Sequence, residues 1–289
     1  MNFIFAVFFI FFVFLFGIIP FFFLYVFSDF IRFLLYRVFK YRRLVVEQNL
    51  KKAFPKYSLS EIEVIGSKFY TNLSDNMIEG IKAFTMTKKQ VRKRHKIKNP
   101  EVLTSLYKEG KSVIGTPCHY GNWEWGSMSG SIQLLQKFVV FYKPLSNKWI
   151  DNFIRWSRGK YDSHMVSIYD TAEVFKEHVH QNSIFIMAAD QSPSNIDKAI
   201  WVDFLGKETA FLQGPECYAR EYNLPVVFVD IRRIKRGYYE LELEMIAENP
   251  SEFKEGEITQ LYARKLEAAI NNKPENWLWS HRRWKHERK

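Results

Sequence analysis

From about residue 100 the chain alternates short apolar runs with helical stretches, and this alternation restricts the fold more than any other feature of its 289 residues. Ser112–Thr116, Phe138–Tyr142, Met165–Ile168, Ile184–Ala188, Val226–Ile231 and Tyr238–Met245 read as strands. Between them, Glu101–Tyr107, Trp149–Ser157, Thr171–His180, Gly214–Tyr222 and Ile258–Ile270 read as helices. The last places Ile258, Leu261, Tyr262, Leu266, Ala269 and Ile270 on one face. Strands alternating with helices predict an α/β fold, a mixed, mostly parallel sheet flanked by helices. Tyr238–Met245 is expected to run antiparallel to Val226–Ile231 across an Arg232–Gly237 turn.

A different object precedes this body. Residues 1–27 carry no charge, and 13 of the 27 Phe fall in the first 30 residues. Roughly 20 apolar residues cross a ~30 Å hydrocarbon core, so 1–27 is expected to be a membrane-anchoring helix, with a tilt or a kink at Pro20. A cleavable signal fits poorly, because no basic residue leads the run and no A-x-A site follows it. Residues 29–56 then hold eight basic residues against Asp29 and Glu47. That flank places the body on the cytoplasmic side of the membrane. Ser28 to about Ala53 reads as an interfacial helix. Ser60-x-x-Glu63 reads as a capping box opening the next helix, with Ile62, Ile65, Phe69 and Leu73 on one face. The expected organisation is an anchor (1–27), a basic interfacial and helical region (28–99) and a catalytic α/β domain (100–289), with 28–289 one globular unit.

The net charge of +11 is segmental. Residues 29–56 carry +6, Lys88–Lys98 hold seven basic and no acidic residues, and His281–Lys289 carry +4. The remainder is therefore net −6. Such tracts suit an anionic surface: lipid headgroups, an acidic carrier protein or nucleic acid. Beside an anchor, the first tract favours phospholipid. Cys118 and Cys217 alone make neither a disulfide framework nor a metal site.

The chemistry concentrates where the first strand ends. Pro117 stops it, His119 follows, and Gly121-Asn122 form a turn in which Asn122 is a helix N-cap candidate. On a straight helix, His119 and Glu124 would point about 140° apart. A bend at Gly121-Asn122 would let the Glu124 carboxylate fix the tautomer of His119 and free the other nitrogen as a base. Such a pair suits proton removal from a hydroxyl attacking an activated carbonyl. The bland alternative is a loop histidine bonded to backbone. A Cys118 nucleophile is the weaker one, since adjacent His119 diverges from it.

The block Cys118-His-Tyr-Gly-Asn-Trp-Glu-Trp125 resembles the signature of bacterial lipid A biosynthesis acyltransferases. Further blocks follow in the family's order: Tyr142-Lys-Pro-Leu-Ser-Asn147 with Arg155 and Arg158, then Ala189-Asp-Gln191. Phe204-Leu-Gly206 with Gly214 and Ala219-Arg220, and Pro274 to Lys285, complete the set. The resemblance implies transfer of a fatty acyl group from an acyl carrier protein thioester to a hydroxyl of a lipid A precursor at the bacterial inner membrane. It implies His119 and Glu124 as the catalytic pair, no metal, no cofactor and no nucleic acid. The matching blocks imply substrate contacts from Asn122, Lys143, Arg155, Arg158, Asp190, Gln191, Arg282 and Arg283. Of these, Asp190 is expected either to line the site or to bond the backbone. Arg282 and Arg283, with Trp277, Trp279 and Trp284, face the membrane or close the core. Ser192–Lys198 and Phe211-Leu-Gln213 depart from the family pattern and leave chain length and acceptor open. Three other readings stand beside this one: the same transfer onto another membrane lipid, a thioesterase-like hydrolase, and a non-enzymatic module binding anionic ligands.

Overall fold

The computed structural model describes residues 2–288. Its first surprise is the leader. Helix α1 (Asn2–Ile18) stops before Pro20, and α2 (Phe21–Phe33) starts after it in a new direction. Proline has no N–H to continue the ladder, and the carbonyls left over at the end of α1 are taken by side chains of another helix. Lys82 Nζ donates to Gly17 O and, at 2.9 Å, to Ile19 O, while Thr85 Oγ1 donates to Gly17 O at 3.2 Å. At 17 residues α1 is about 25 Å long. Among the described residues no helix is long and apolar enough to cross a membrane. The expected single spanning helix over 1–27 is therefore replaced by two helices broken at Pro20.

After α2 and a π-type turn at Leu34–Val38 come α3 (Arg43–Ala53) and the long α4 (Leu59–Ala83). The interfacial helix expected over 28–53 is thus two helices separated by left-handed Lys40 and Arg42. The capping box that opens α4 uses Ser58 and Glu61, two residues earlier than expected: Ser58 Oγ accepts from Glu61 N, and Glu61 reaches back to Ser58 N. Helix α2 lies antiparallel on α4, with Tyr25 bonded to Glu79, Ser28 to Asp75 and Arg32 to Ser67.

The body then runs α5 (Lys88–Arg94), β1 (His95–Ile97), α6 (Glu101–Lys108), β2 (Val113–Pro117), α7 (Gly126–Gln133), β3 (Lys137–Tyr142), α8 (Lys148–Gly159), β4 (Ser163–Ser167), α9 (Thr171–His178), β5 (Ser183–Ile186), β6 (Ala199–Phe204), β7 (Lys207–Leu212), α10 (Gly214–Tyr222), β8 (Val226–Lys235), β9 (Tyr238–Ala247) and α11 (Glu257–Asn272). Seven strands form one sheet in the order β1-β9-β8-β2-β5-β3-β4, every pairing parallel except β8–β9. The predicted α/β fold and the predicted antiparallel pair are both present. Strand β1 and the separate β6–β7 hairpin went unanticipated.

Alternate residues of each strand serve opposite faces, and both faces are covered, as parallel sheets require. Ile114, Val139, Phe185 and Phe228 pack with Phe175 of α9, Ala219 of α10 and Leu266 of α11. Val113, Phe138, Ile184 and Val229 pack with Leu103 of α6 and Met128 of α7. Because β2 and β5 are parallel neighbours, their carboxyl ends lie side by side, and a crevice opens there.

Candidate active site

Backbone and side-chain restraints shape the turn after β2. His119 N donates to Asp190 Oδ2 at 2.8 Å, and His119 O accepts from Leu278 N at 3.0 Å. Tyr120 bridges Trp277, and Gly121 N donates to Asn276 O at 3.1 Å. Gly121 has φ +63°, and a Cβ there would meet Ile231 O at 2.3 Å, so only glycine fits. Asn122 then caps the short 3-10 turn Trp123–Trp125, its Oδ1 accepting from Trp125 N at 3.1 Å. The cap anticipated from the sequence is thus present.

The histidine's carboxylate is Asp190. His119 Nδ1 lies 2.7 Å from Asp190 Oδ1, while Trp277 Nε1 donates to Asp190 Oδ2 at 2.9 Å. Asp190 is only 1 % exposed, and three donors from His119 and Trp277 converge on it. Burial alone would raise its carboxyl, but the His119 charge and these bonds hold it below the ordinary value. Burial works against a charge on His119, yet Asp190, and to a lesser degree Glu124, outweigh that and raise the imidazole above its ordinary value. With Nδ1 committed to Asp190, Nε2 is the nitrogen available to a reacting hydroxyl.

Glu124 does reach the same wall of the crevice, as the Gly121-Asn122 bend was expected to allow. Its oxygen, however, accepts from Arg158 Nη2 of α8 at 2.5 Å. The expected orientation of His119 by Glu124 is therefore corrected: Asp190 sits on the ring, and Glu124 is clamped by a guanidinium. An always-charged Arg brought in by α8 claims the nearer carboxylate, and strand adjacency delivers the other one. Trp123 packs edge-on against His119 at 5.2 Å between ring centroids.

These groups stand on a cavity of about 700 Å³ that is mostly apolar. His119, Glu124, Lys143, Arg158 and Gln191 line it, as does Cys118. One arm lies under α7 and spans the sheet, lined from Ile97 of β1 past Leu241, Val229 and Ile184 to Val140 of β3 and Met165 of β4. Three strand steps separate β2 from each edge strand, so this lining reaches roughly 14 Å to either side of the His119 strand. The other arm opens at the strand ends beside Met187, Leu212 and Tyr218.

The remaining candidates sit elsewhere. Asn122 is buried beneath the turn, its Nδ2 donating to Glu79 Oε2 at 2.6 Å, so it shapes the site from behind. Asp190 lies behind His119 rather than on the cavity wall. Arg155 is exposed on α8 and Arg282 on the C-terminal tail, both outside the lining. Arg283 is 2 % exposed, held over Phe211 and Phe204 with Nη1 donating to Ala210 O. A phosphate cannot reach it; with Trp277 and Trp279 it closes the core. Burial pushes the Cys118 thiol well up, and among the described residues no base hydrogen-bonds it, so a thiolate nucleophile is disfavoured there. Glu79 escaped sequence reasoning altogether, although Asp75, Glu79 and Lys82 recur at core spacing on α4.

The chain matches the family model described as bacterial lipid A biosynthesis acyltransferase over residues 2–286. It is also 23 % identical over 273 residues to a Haemophilus influenzae protein named lipid A biosynthesis acyltransferase, covering 93 % of this chain and 84 % of that relative.

Proposed function

The chain belongs to the bacterial lipid A biosynthesis acyltransferase family, and from that premise we propose that it moves a fatty acyl group from an acyl carrier protein thioester to a hydroxyl of a lipid A precursor, with His119 as general base. The observation that carries this reading is His119, fixed at Nδ1 by a buried carboxylate and facing a mostly apolar cavity.

In this scheme the acyl chain lies in the arm under α7, where apolar walls exclude the water that would hydrolyse the thioester. Nε2 of His119 removes the proton as the acceptor oxygen attacks the thioester carbonyl. The tetrahedral intermediate collapses with rupture of the C–S bond, and the imidazolium returns the proton to the departing thiolate. Asp190 stabilises that imidazolium and holds the tautomer. Arg158, steadied by Glu124, supplies positive charge at the mouth for the carbonyl oxygen or for a phosphate of the acceptor.

The same reading puts the protein against a bilayer. Phe8, Phe11 and Phe22 are 68 %, 67 % and 72 % exposed, and Trp149 and Trp156 are exposed on α8, the helix that brings Arg158 to the cavity. Phe3 packs on Trp149 and Phe9 on Phe153, which joins the leader to α8. Soluble surfaces rarely show so large an aromatic patch. Arg32, Arg37, Lys40, Arg42 and Arg43 follow it in sequence and suit anionic headgroups of the inner membrane's cytoplasmic leaflet. The two leader helices are then an in-plane anchor seated in one leaflet.

Lipid mass spectrometry of a strain lacking the gene tests the acceptor. Lipid A short of one acyl chain is the expected result. Unchanged lipid A with a chain missing from another membrane lipid would move the reaction to that lipid.

A further inference from the structure

We propose that Glu79 is a positioning residue that fastens the His119 turn to α2, through bonds to Asn122 on one side and Tyr25 on the other. The inference rests on the acyltransfer reading for its kinetic consequence, but its geometry stands alone.

Glu79 lies on α4, 1 % exposed, and does not line the cavity. Three elements converge on its two oxygens. Tyr25 of α2 donates to Oε1 at 2.7 Å. Asn122 Nδ2 donates to Oε2 at 2.6 Å and Tyr239 of β9 to Oε2 at 2.8 Å. Asp75, one turn earlier, is built differently: Arg233 and Arg236 pair with it, and Ser28 donates to it. Asp75 thus ties Ser28 of α2 to Arg233 and Arg236 at the β8–β9 hairpin. Among the described residues no cation bonds Glu79 directly, a costly arrangement for a buried carboxylate that packing alone does not require. A carboxylate there can accept from the turn and from both tyrosines at once.

The turn is held on its remaining sides by the same neighbourhood. Asn76 Nδ2, also on α4, donates to Gly121 O at 2.8 Å. His95, kept neutral by burial with its imidazole pushed down to about 3, faces Asn122 O with Nε2 at 3.0 Å and Ser129 Oγ with Nδ1 at 2.6 Å. Because the backbone carbonyl can only accept, Nε2 carries the hydrogen and Nδ1 takes the serine proton. Trp125 Nε1 donates to Glu79 O at 3.0 Å. Asn122, three residues after His119 and two before Glu124, thus has its amide oxygen, amide nitrogen and carbonyl all engaged. Removing Glu79 frees the amide nitrogen and lets the whole turn shift. Tyr25 adds the membrane side, since its neighbours Phe22, Phe23 and Val26 on α2 are exposed. Seating α2 on α4 completes the shell around Glu79; unseating it strips Oε1.

The test uses the full chain in lipid nanodiscs, with Glu79→Gln, Glu79→Leu, Tyr25→Phe, Asn122→Ala and the Glu79→Leu/Asn122→Ala double variant. Acyl transfer from an acyl carrier protein thioester to a Kdo-lipid A precursor gives kcat and KM, and circular dichroism gives the melt. The expected pattern is a kcat loss of about tenfold in Glu79→Gln and Tyr25→Phe and about 100-fold in Glu79→Leu, with KM nearly unchanged. The double variant should lose no more than Glu79→Leu, because both act through one contact. Losses that multiply, or a rise in KM with kcat intact, would overturn the proposal. If Glu79→Leu does not fold, wild-type kcat in both milder variants overturns it instead. NMR titration of the His119 imidazole supplies a readout free of substrate: its midpoint should fall in Glu79→Gln, and an unchanged midpoint counts against the inference. Should the wild type transfer no acyl chain while the titration still responds, the acyltransfer reading fails and the positioning role stands.

Discussion

With Asp190 on Nδ1, His119 offers a lone pair at Nε2 only when the ring is neutral, and Asp190 and Glu124 favour the charged ring. The rate of acyl transfer should therefore rise with pH through a midpoint above the ordinary imidazole value of 6.5. In Asp190→Asn the midpoint should move down and kcat should fall by about 10²–10⁴-fold, since the stabiliser of the imidazolium and its tautomer is lost. A profile unchanged by Asp190→Asn would remove Asp190 from the mechanism. Stability carries the same signature. The histidine's share is fully present below pH 6.5 and is lost as pH rises through its raised folded value. The aspartate's share is present above pH 3.8 and is lost as pH falls through its lowered folded value. The melting difference between wild type and Asp190→Asn should therefore be widest near pH 5–6 and narrow above neutrality, as thermal unfolding across pH will show. His119 was legible because a strand end, a proline and a glycine turn surround it. Its partner was not, because Asp190 is 71 residues away and reaches it only through the β2–β5 adjacency. Sequence proximity pointed to Glu124, which Arg158 had already engaged.

The elements that shape the cavity are α7, which roofs it, and the strands beneath. Ile97 of β1 lines the cavity at one edge of the sheet, paired through Leu241 to Ile231. Ile97→Trp should fill that end and shift donor preference toward shorter acyl chains, with kcat on the short donor within about twofold of wild type. An unchanged chain-length profile in a donor series would place the acyl chain elsewhere. Most strands and helices of the body were readable from their periodicity. Strand β1 escaped because three residues carry no period, and the β6–β7 hairpin because neither Ala199–Phe204 nor Lys207–Leu212 alternates apolar with polar residues. The leader misled for a physical reason: hydropathy counts apolar residues, whereas Pro20, Lys82 and Thr85 decide where a helix ends.

At the scale of the whole molecule, the leader helices and α8 carry exposed aromatic side chains and are joined by Phe3 on Trp149 and Phe9 on Phe153. A Phe side chain moved from water to lipid gains roughly 1.5–3 kcal/mol when fully buried. Replacing Phe8, Phe11, Phe22 and Phe23 together by Ser should weaken binding to vesicles at least tenfold, while leaving the α2–α4 bonds intact. Vesicle co-sedimentation will check this, and undiminished binding would mean that another face meets the membrane. The wild type should also bind vesicles with anionic lipid more tightly than neutral ones, the difference shrinking with salt.

The measurement closest to the central claim is a single-turnover assay of the purified full-length chain in nanodiscs, read by mass spectrometry. With an acyl carrier protein thioester and a Kdo-lipid A precursor, the wild type should add one acyl chain to the precursor, and His119→Ala should add none within the same time. Free fatty acid as the only product, no product from any donor chain length, or equal product from His119→Ala would contradict acyl transfer at this site.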